Sequence, residues 1–103
     1  MIKNSTFNMY NFVIINSCKQ DFKKLSRDAQ KFLRLTIFPI ILKDPFIGEK
    51  LQGKNFKKLY KFGLRYKSTD YRIVYQIVNK ELTIIFIMIA SRENFYKKLK
   101  RRN

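Results

Sequence analysis

The side chains best suited to chemistry are Lys61, Arg65, Lys67, Arg72 and Arg92, all in the second half of a 103-residue chain. Across residues 59–67 (LYKFGLRYK), Tyr60, Phe62, Leu64 and Tyr66 alternate with Lys61, Gly63, Arg65 and Lys67. A period of two is that of a strand with one buried and one wet face, so the cations share a face. Arg72 can join that face across a hairpin, and Arg92 follows the end of the next apolar run. Guanidinium forks match phosphate oxygens in bidentate geometry, so converging arginines would form a polyanion site. The same pattern also reads as the solvated face of a surface strand.

Other chemistries are excluded by composition. There is no histidine, which removes Ser-His-Asp, Cys-His and imidazole acid–base catalysis. One cysteine, Cys18, and no histidine rule out the common zinc sites and any internal disulfide. Cys18 reads as a half-buried small apolar residue. Seven scattered acids do not suggest a carboxylate metal cage. Against them stand 23 Lys and Arg, a net charge of +16 that calls for an anionic partner. Residues 54–103 hold 14 basic and 3 acidic side chains, so the second half carries +11 of that charge. Nucleic acid, an acidic protein and an acidic membrane surface all fit such a field. No Trp-bearing amphipathic helix favours the membrane. The longest uncharged apolar run, Leu82 to Ala90, is nine residues, far short of the ~20 of a membrane span. The polar first ten residues do not resemble a secretory signal, and the expected location is the cytoplasm.

The elements that must position the cations are those of one domain, 1–103. Residues 1–8 and 99–103 are expected to be loose ends. Met9 to Asn16 (MYNFVIIN) reads as a strand. Ser17 and Gln20 stand at capping-box spacing before a short helix. Ser26 starts a second helix, with Ala29, Phe32, Leu33, Leu35, Ile37 and Phe38 as its apolar stripe, and Pro39 should kink or end it. Residues 46–58 read as a loop. Residues 59–67, 71–78 and 82–90 then form three antiparallel strands, with turns at Ser68–Asp70 and Asn79–Glu81. The third, LTIIFIMIA, is apolar on both faces, as a strand covered on both sides requires. Ser91 to Asn103 is a basic helix or tail. The fold class is α+β, an antiparallel sheet with an N-terminal helical hairpin on one face and a C-terminal helix.

From Lys50 to Tyr96 the chain resembles the bacterial RelE/ParE toxin superfamily. The resemblance is carried by KLQG at 50–53, LYKFGLRYK at 59–67, DYRIVYQIV at 70–78, TIIFIMIASR at 83–92 and RENFY at 92–96. Each piece alone is weak, whereas the ordered combination is specific. The N-terminal strand and hairpin fit the same fold, so the likeness covers nearly the whole chain.

The resemblance implies a cytoplasmic toxin held inactive by a cognate antitoxin. The RelE branch consists of mRNA interferases that cut messenger RNA in the ribosomal A site, using neither metal nor a small-molecule cofactor. The Arg of the family's Tyr-Arg pair falls on Arg72, the basic residue seven positions earlier on Arg65, the Arg after the apolar strand on Arg92, and the terminal aromatic on Tyr96. Two positions depart. A catalytic Lys of the RelE branch falls on Gly63, and a His that precedes the last Arg in many relatives is Ser91. Lys61 and Lys67 are then the candidate general bases. Lys54, Lys57, Lys58, Lys97 and Lys98 are candidates for RNA-backbone contact. In the implied reaction the RNA's own 2′-OH attacks the adjacent phosphorus. Arginines neutralise the phosphorane, and Tyr96 stacks on a base or orients the hydroxyl. Lysine is a poor base at neutral pH, a reason to expect the ribosome to supply alignment. The alternatives are a ParE-like poison of DNA gyrase, which does not cut RNA, and a non-catalytic nucleic-acid-binding module or degenerate toxin.

Overall fold

The computed structural model describes residues 9–53, 56 and 58–102. Residues 1–8, expected to be loose, lie outside these, as do Lys54 and Lys57. The elements run β1 (Asn11–Ile14), α1 (Asn16–Lys23), α2 (Arg27–Phe32), a π-helical stretch (Leu33–Ile37), α3 (Phe38–Lys43), β2 (Glu49–Lys50), β3 (Leu59–Tyr66), β4 (Thr69–Val78), β5 (Thr83–Ser91) and α4 (Phe95–Arg102). The sheet order is β1-β5-β4-β3-β2.

The expected α+β meander is present, with β3, β4 and β5 antiparallel in sequence order. Two strands extend it. β1 pairs parallel with β5, Asn11 to Ile14 against Thr83 to Phe86, which makes the sheet mixed. β2 lies within the segment read as a loop and pairs Glu49 and Lys50 with Lys61 and Tyr60.

Both faces of the sheet are covered. On one, Ile73, Tyr75, Ile84, Phe86 and Ile89 pack against Cys18 of α1 and the apolar side of the Leu33–Leu42 helix. On the other, Val74, Met88 and Ala90 pack against Phe95 and Leu99 of α4. β5 feeds both clusters, as its unbroken apolar run requires. The C-terminal end is therefore not loose from residue 99: Leu99 is buried and the helix continues to Arg102.

Ser26 caps α2, its hydroxyl accepting from the Ala29 N–H at 3.1 Å. The Ser17–Gln20 capping box does not form, because α1 begins at Asn16 with Ile15 at its cap position and no side-chain cap. Pro39 does not end its helix. It sits in the first turn of α3 directly after the π-helical turn, which accommodates the missing N–H without a break. Leu35 leaves the expected stripe and is exposed, since Leu33 and Ile37 on either side face the core.

Gly48 is required by close packing. A Cβ there would collide with the Tyr75 hydroxyl and approach the Lys61 carbonyl to 2.8 Å. The Tyr75 hydroxyl donates to the Pro45 carbonyl at 2.6 Å and ties the β2 approach to the core. Burial pushes the Tyr75 hydroxyl from 10.0 up to about 12. The native state therefore keeps a proton that the unfolded chain releases above pH ~10. Stability should fall by about 2–3 kcal/mol between pH 10 and 12 and level off beyond. Urea titrations across that range check it, and Tyr75→Phe should remove this part of the slope.

Candidate active site

Antiparallel register places the cations. Residues directly opposite in neighbouring strands share a face, and β3 and β4 pair Lys61 with Val74, Gly63 with Arg72 and Arg65 with Asp70. Arg72 in turn opposes Ala90, and Tyr71 opposes Ser91. Arg92, one residue past β5, thus completes a row that begins with Arg65 and Asp70. The face is the one on which α4 packs, beyond the end of its apolar cluster.

Arg65, Arg72 and Arg92 line one cleft of about 320 Å³, with Gly63, Leu64, Asp70 and Tyr71. The Arg65 Nη1 donates to Asp70 Oδ1 at 3.0 Å, and Arg92 Nη1 lies 4.0 Å from Asp70 Oδ2. Arg72 is held differently. Its guanidinium carbon stands 5.2 Å from the centre of the Phe95 ring, and Lys61 Nζ lies 5.7 Å from the same ring. A buried ring thus carries two cations on its electron-rich surface. The small neighbours Gly63 and Ala90 leave Arg72 room to lie between the strands. A Cβ at Gly63 would meet nothing within 4 Å. Tyr96 is exposed on α4, edge-on to Phe95 with centroids 4.8 Å apart.

Several lysines go elsewhere. Lys67 is not a strand residue: it begins the turn, with φ 56°, so the alternation ends at Tyr66. Its ammonium stands 3.9 Å from Asp28 Oδ2 of α2, away from the arginine row. Lys61 is the candidate base that remains. Lys98 pairs at 3.3 Å with Asp21, a carboxylate buried under α1, and serves packing rather than a free cationic surface. Lys58 precedes β3 at the end remote from Arg65, roughly 23 Å away at ordinary strand rise. It lines a separate groove with Lys50, Phe46 and Tyr60. Lys97 is exposed on α4.

Two members of the site escaped the sequence reading. Asp70 reads as a turn residue, and only the register of β4, which begins at Thr69, brings it between two arginines. Phe95 reads as an ordinary apolar residue of a basic tail. The RENFY motif held the signal, since it fixes Phe95 three residues after Arg92.

The family described as ParE-like toxin of type II bacterial toxin–antitoxin system matches residues 12–100. No curated protein matches by sequence. Among solved structures, a mutant of the E. coli toxin RelE in the free state is 24% identical, with a TM-score of 0.67 over 90% of this chain and 97% of that one. A chain of the RelBE2 toxin–antitoxin complex from Mycobacterium tuberculosis is 17% identical, with a TM-score of 0.67 over 82% of this chain and 99% of that one. A chain of the intact E. coli RelBE complex is 23% identical, with a TM-score of 0.63 over 79% and 94% respectively.

Proposed function

This chain belongs to the ParE-like toxin family of type II bacterial toxin–antitoxin systems, and we propose that it is the nuclease kind of toxin, an mRNA interferase that cuts messages on the ribosome. The observation that carries the reading is the meeting of Arg65, Arg72 and Arg92 around one cleft. These arginines come from β3, β4 and the turn after β5.

The substrate supplies the nucleophile. The 2′-oxygen attacks the adjacent phosphorus as its proton leaves, the phosphorus–5′-oxygen bond breaks, and the leaving oxygen takes up a proton. The products are a 2′,3′-cyclic phosphate and a 5′-hydroxyl. Arg72 and Arg65 neutralise the phosphorane, where each well-placed donor is worth about 3 kcal/mol. Arg92 holds the same phosphate or assists the leaving oxygen. Lys61 accepts the first proton, and Tyr96 offers an exposed ring for a base. A cognate antitoxin restrains this activity, as the complexes formed by structural neighbours suggest. Its acidic segment would meet a chain of charge +16. No described helix is long and apolar enough to cross a membrane, and the cytoplasm, where ribosomes and messages are, is the proposed site of action.

Primer extension on a reporter message during induced expression tests the reading. Discrete stops with cyclic-phosphate ends support it. DNA damage without message cleavage would replace it with gyrase poisoning.

Position 63 offers a gain-of-function test. The open space beside Gly63 faces the Arg72 cleft, and Gly63→Lys would place a further cation there. Cleavage should rise several-fold, as expected of an added general acid–base or electrostatic group. A variant that folds and cuts no faster would show that position 63 takes no part.

A further inference from the structure

We propose that Asp70 is the positioning residue of this site, a carboxylate that clamps Arg65 and Arg92 in the orientation that receives a phosphate; the inference rests on the nuclease reading only for its kinetic consequence. Asp70 stands at the centre of a row across three strands. Arg65 is its direct partner on β3, and the next position on the β5 side is Arg92. Its two oxygens are divided between the two, 3.0 Å to Arg65 and 4.0 Å to Arg92. The Asp70 side chain is 38% exposed, against 63% and 69% for those of Arg65 and Arg92. The anchor is therefore the more fixed member, and the two cations are long side chains with many rotamers.

Two guanidiniums that flank β4, one on β3 and one just past β5, repel one another and would sample separate rotamers. A carboxylate between them screens that repulsion, accepting a hydrogen bond from Arg65 at 3.0 Å and drawing Arg92 by charge alone at 4.0 Å. A guanidinium has five N–H donors, so Arg65 keeps most of its fork for a phosphate. The contact also forms a wall between two clefts. Asp70 and Arg92 line both the arginine cleft of about 320 Å³ and a second, of about 430 Å³, with Ser68, Thr69, Ser91 and Glu93. A linkage lying across that wall would have a nucleotide on either side.

Exposed ion pairs contribute little to stability, so Asp70→Asn should fold as the parent does. It also removes one negative charge, which strengthens RNA binding. Positioning and charge therefore pull measured quantities apart. In Asp70→Asn, kcat on translating ribosomes should fall about ten-fold or more through misplacement of the arginines, while KM stays level or drops. Asp70→Glu should recover part of the loss. Independently of cleavage, NMR relaxation of the Arg65 and Arg92 Nε–H groups should show restraint in the parent and free motion in Asp70→Asn.

Unchanged kcat with a lower KM would overturn the proposal and reduce Asp70 to a screening charge. Equal guanidinium motion in both proteins would overturn it as well. If the parent shows Asp70-dependent restraint yet cuts no message, the clamp stands and the nuclease reading falls.

Discussion

Arg72→Ala should lower message cleavage on translating ribosomes by about a hundred-fold, the loss expected when one preorganised donor to the reacting phosphate is removed. The expectation follows from how this arginine is held. It lies at mid-strand, flanked by Gly63 and Ala90, with its guanidinium over Phe95. Arg65 and Arg92 reach the cleft from more exposed positions and depend on Asp70. Arg72 is thus the cation with least freedom, and little reorganisation is needed when negative charge develops. Its removal costs the fold only a surface cation–π contact, about 0.5–1 kcal/mol, so circular dichroism and melting should barely change. Arg72→Lys should restore little, because an ammonium cannot present a planar fork. The control is Lys31→Ala, an exposed cation of α2 on the opposite side of the sheet. If the chain only bound RNA, each change would weaken binding alike, with a salt slope smaller by about 0.7. A deep loss in Arg72→Ala alone separates catalysis from adhesion, and cleavage equal to the parent's would remove the role given to Arg72.

Which features could be read from the chain follows from the range of the interactions behind them. The meander β3–β4–β5 is written in local alternation and short turns, and its pairing brings Arg65 and Arg72 together. Ser26 announces α2 because a cap is a contact three residues long. β1 is legible as a strand, but its parallel pairing with β5 joins residues some seventy positions apart and leaves no local trace. The same range hides Lys98, whose partner Asp21 lies on the other side of β5. Lys67 misleads for a subtler reason. Alternation holds only while the strand lasts, and the turn begins one residue earlier than the Ser-Thr-Asp run suggests. That shift also moves Asp70 from the turn into the strand, where it faces Arg65. A register error of one residue exchanges the faces of a strand, so the membership of a site built on a hairpin is only as secure as the turn.

Asp21→Ala should be strongly damaging although it lies outside the cleft, with a loss of about 2–4 kcal/mol, the cost of leaving a buried N–H without its acceptor together with a lost ion pair. β1 covers β5 only as far as Phe86. Beyond it the edge of β5 is closed by Ile15 and α1: the Ile15 N–H donates to the Phe86 carbonyl, and Asp21 Oδ2 accepts from the Ile89 N–H at 3.0 Å. The other oxygen receives Lys98 of α4 at 3.3 Å. One buried carboxylate thus satisfies a strand edge and fastens a helix that packs on the far face. Alanine would leave the Ile89 N–H without this acceptor and Lys98 without this counter-charge, in a domain whose whole stability is of order 5–15 kcal/mol. Asp21→Asn keeps an acceptor for Ile89 and should cost less. Lys98→Met leaves the Asp21 carboxylate buried without this counter-charge and should cost more than Asp21→Asn, which removes the buried charge itself. This order, Asn mildest with Ala and the Lys98 change both costlier, is readable from denaturant midpoints. The consequence reaches the cleft, because α4 begins with Phe95, the ring that carries Arg72 and Lys61. Loosening α4 should therefore reduce cleavage in Asp21→Asn by more than its unfolded fraction explains. An activity loss that matches the unfolded fraction would mean that Phe95 holds its place without the Asp21–Lys98 tie.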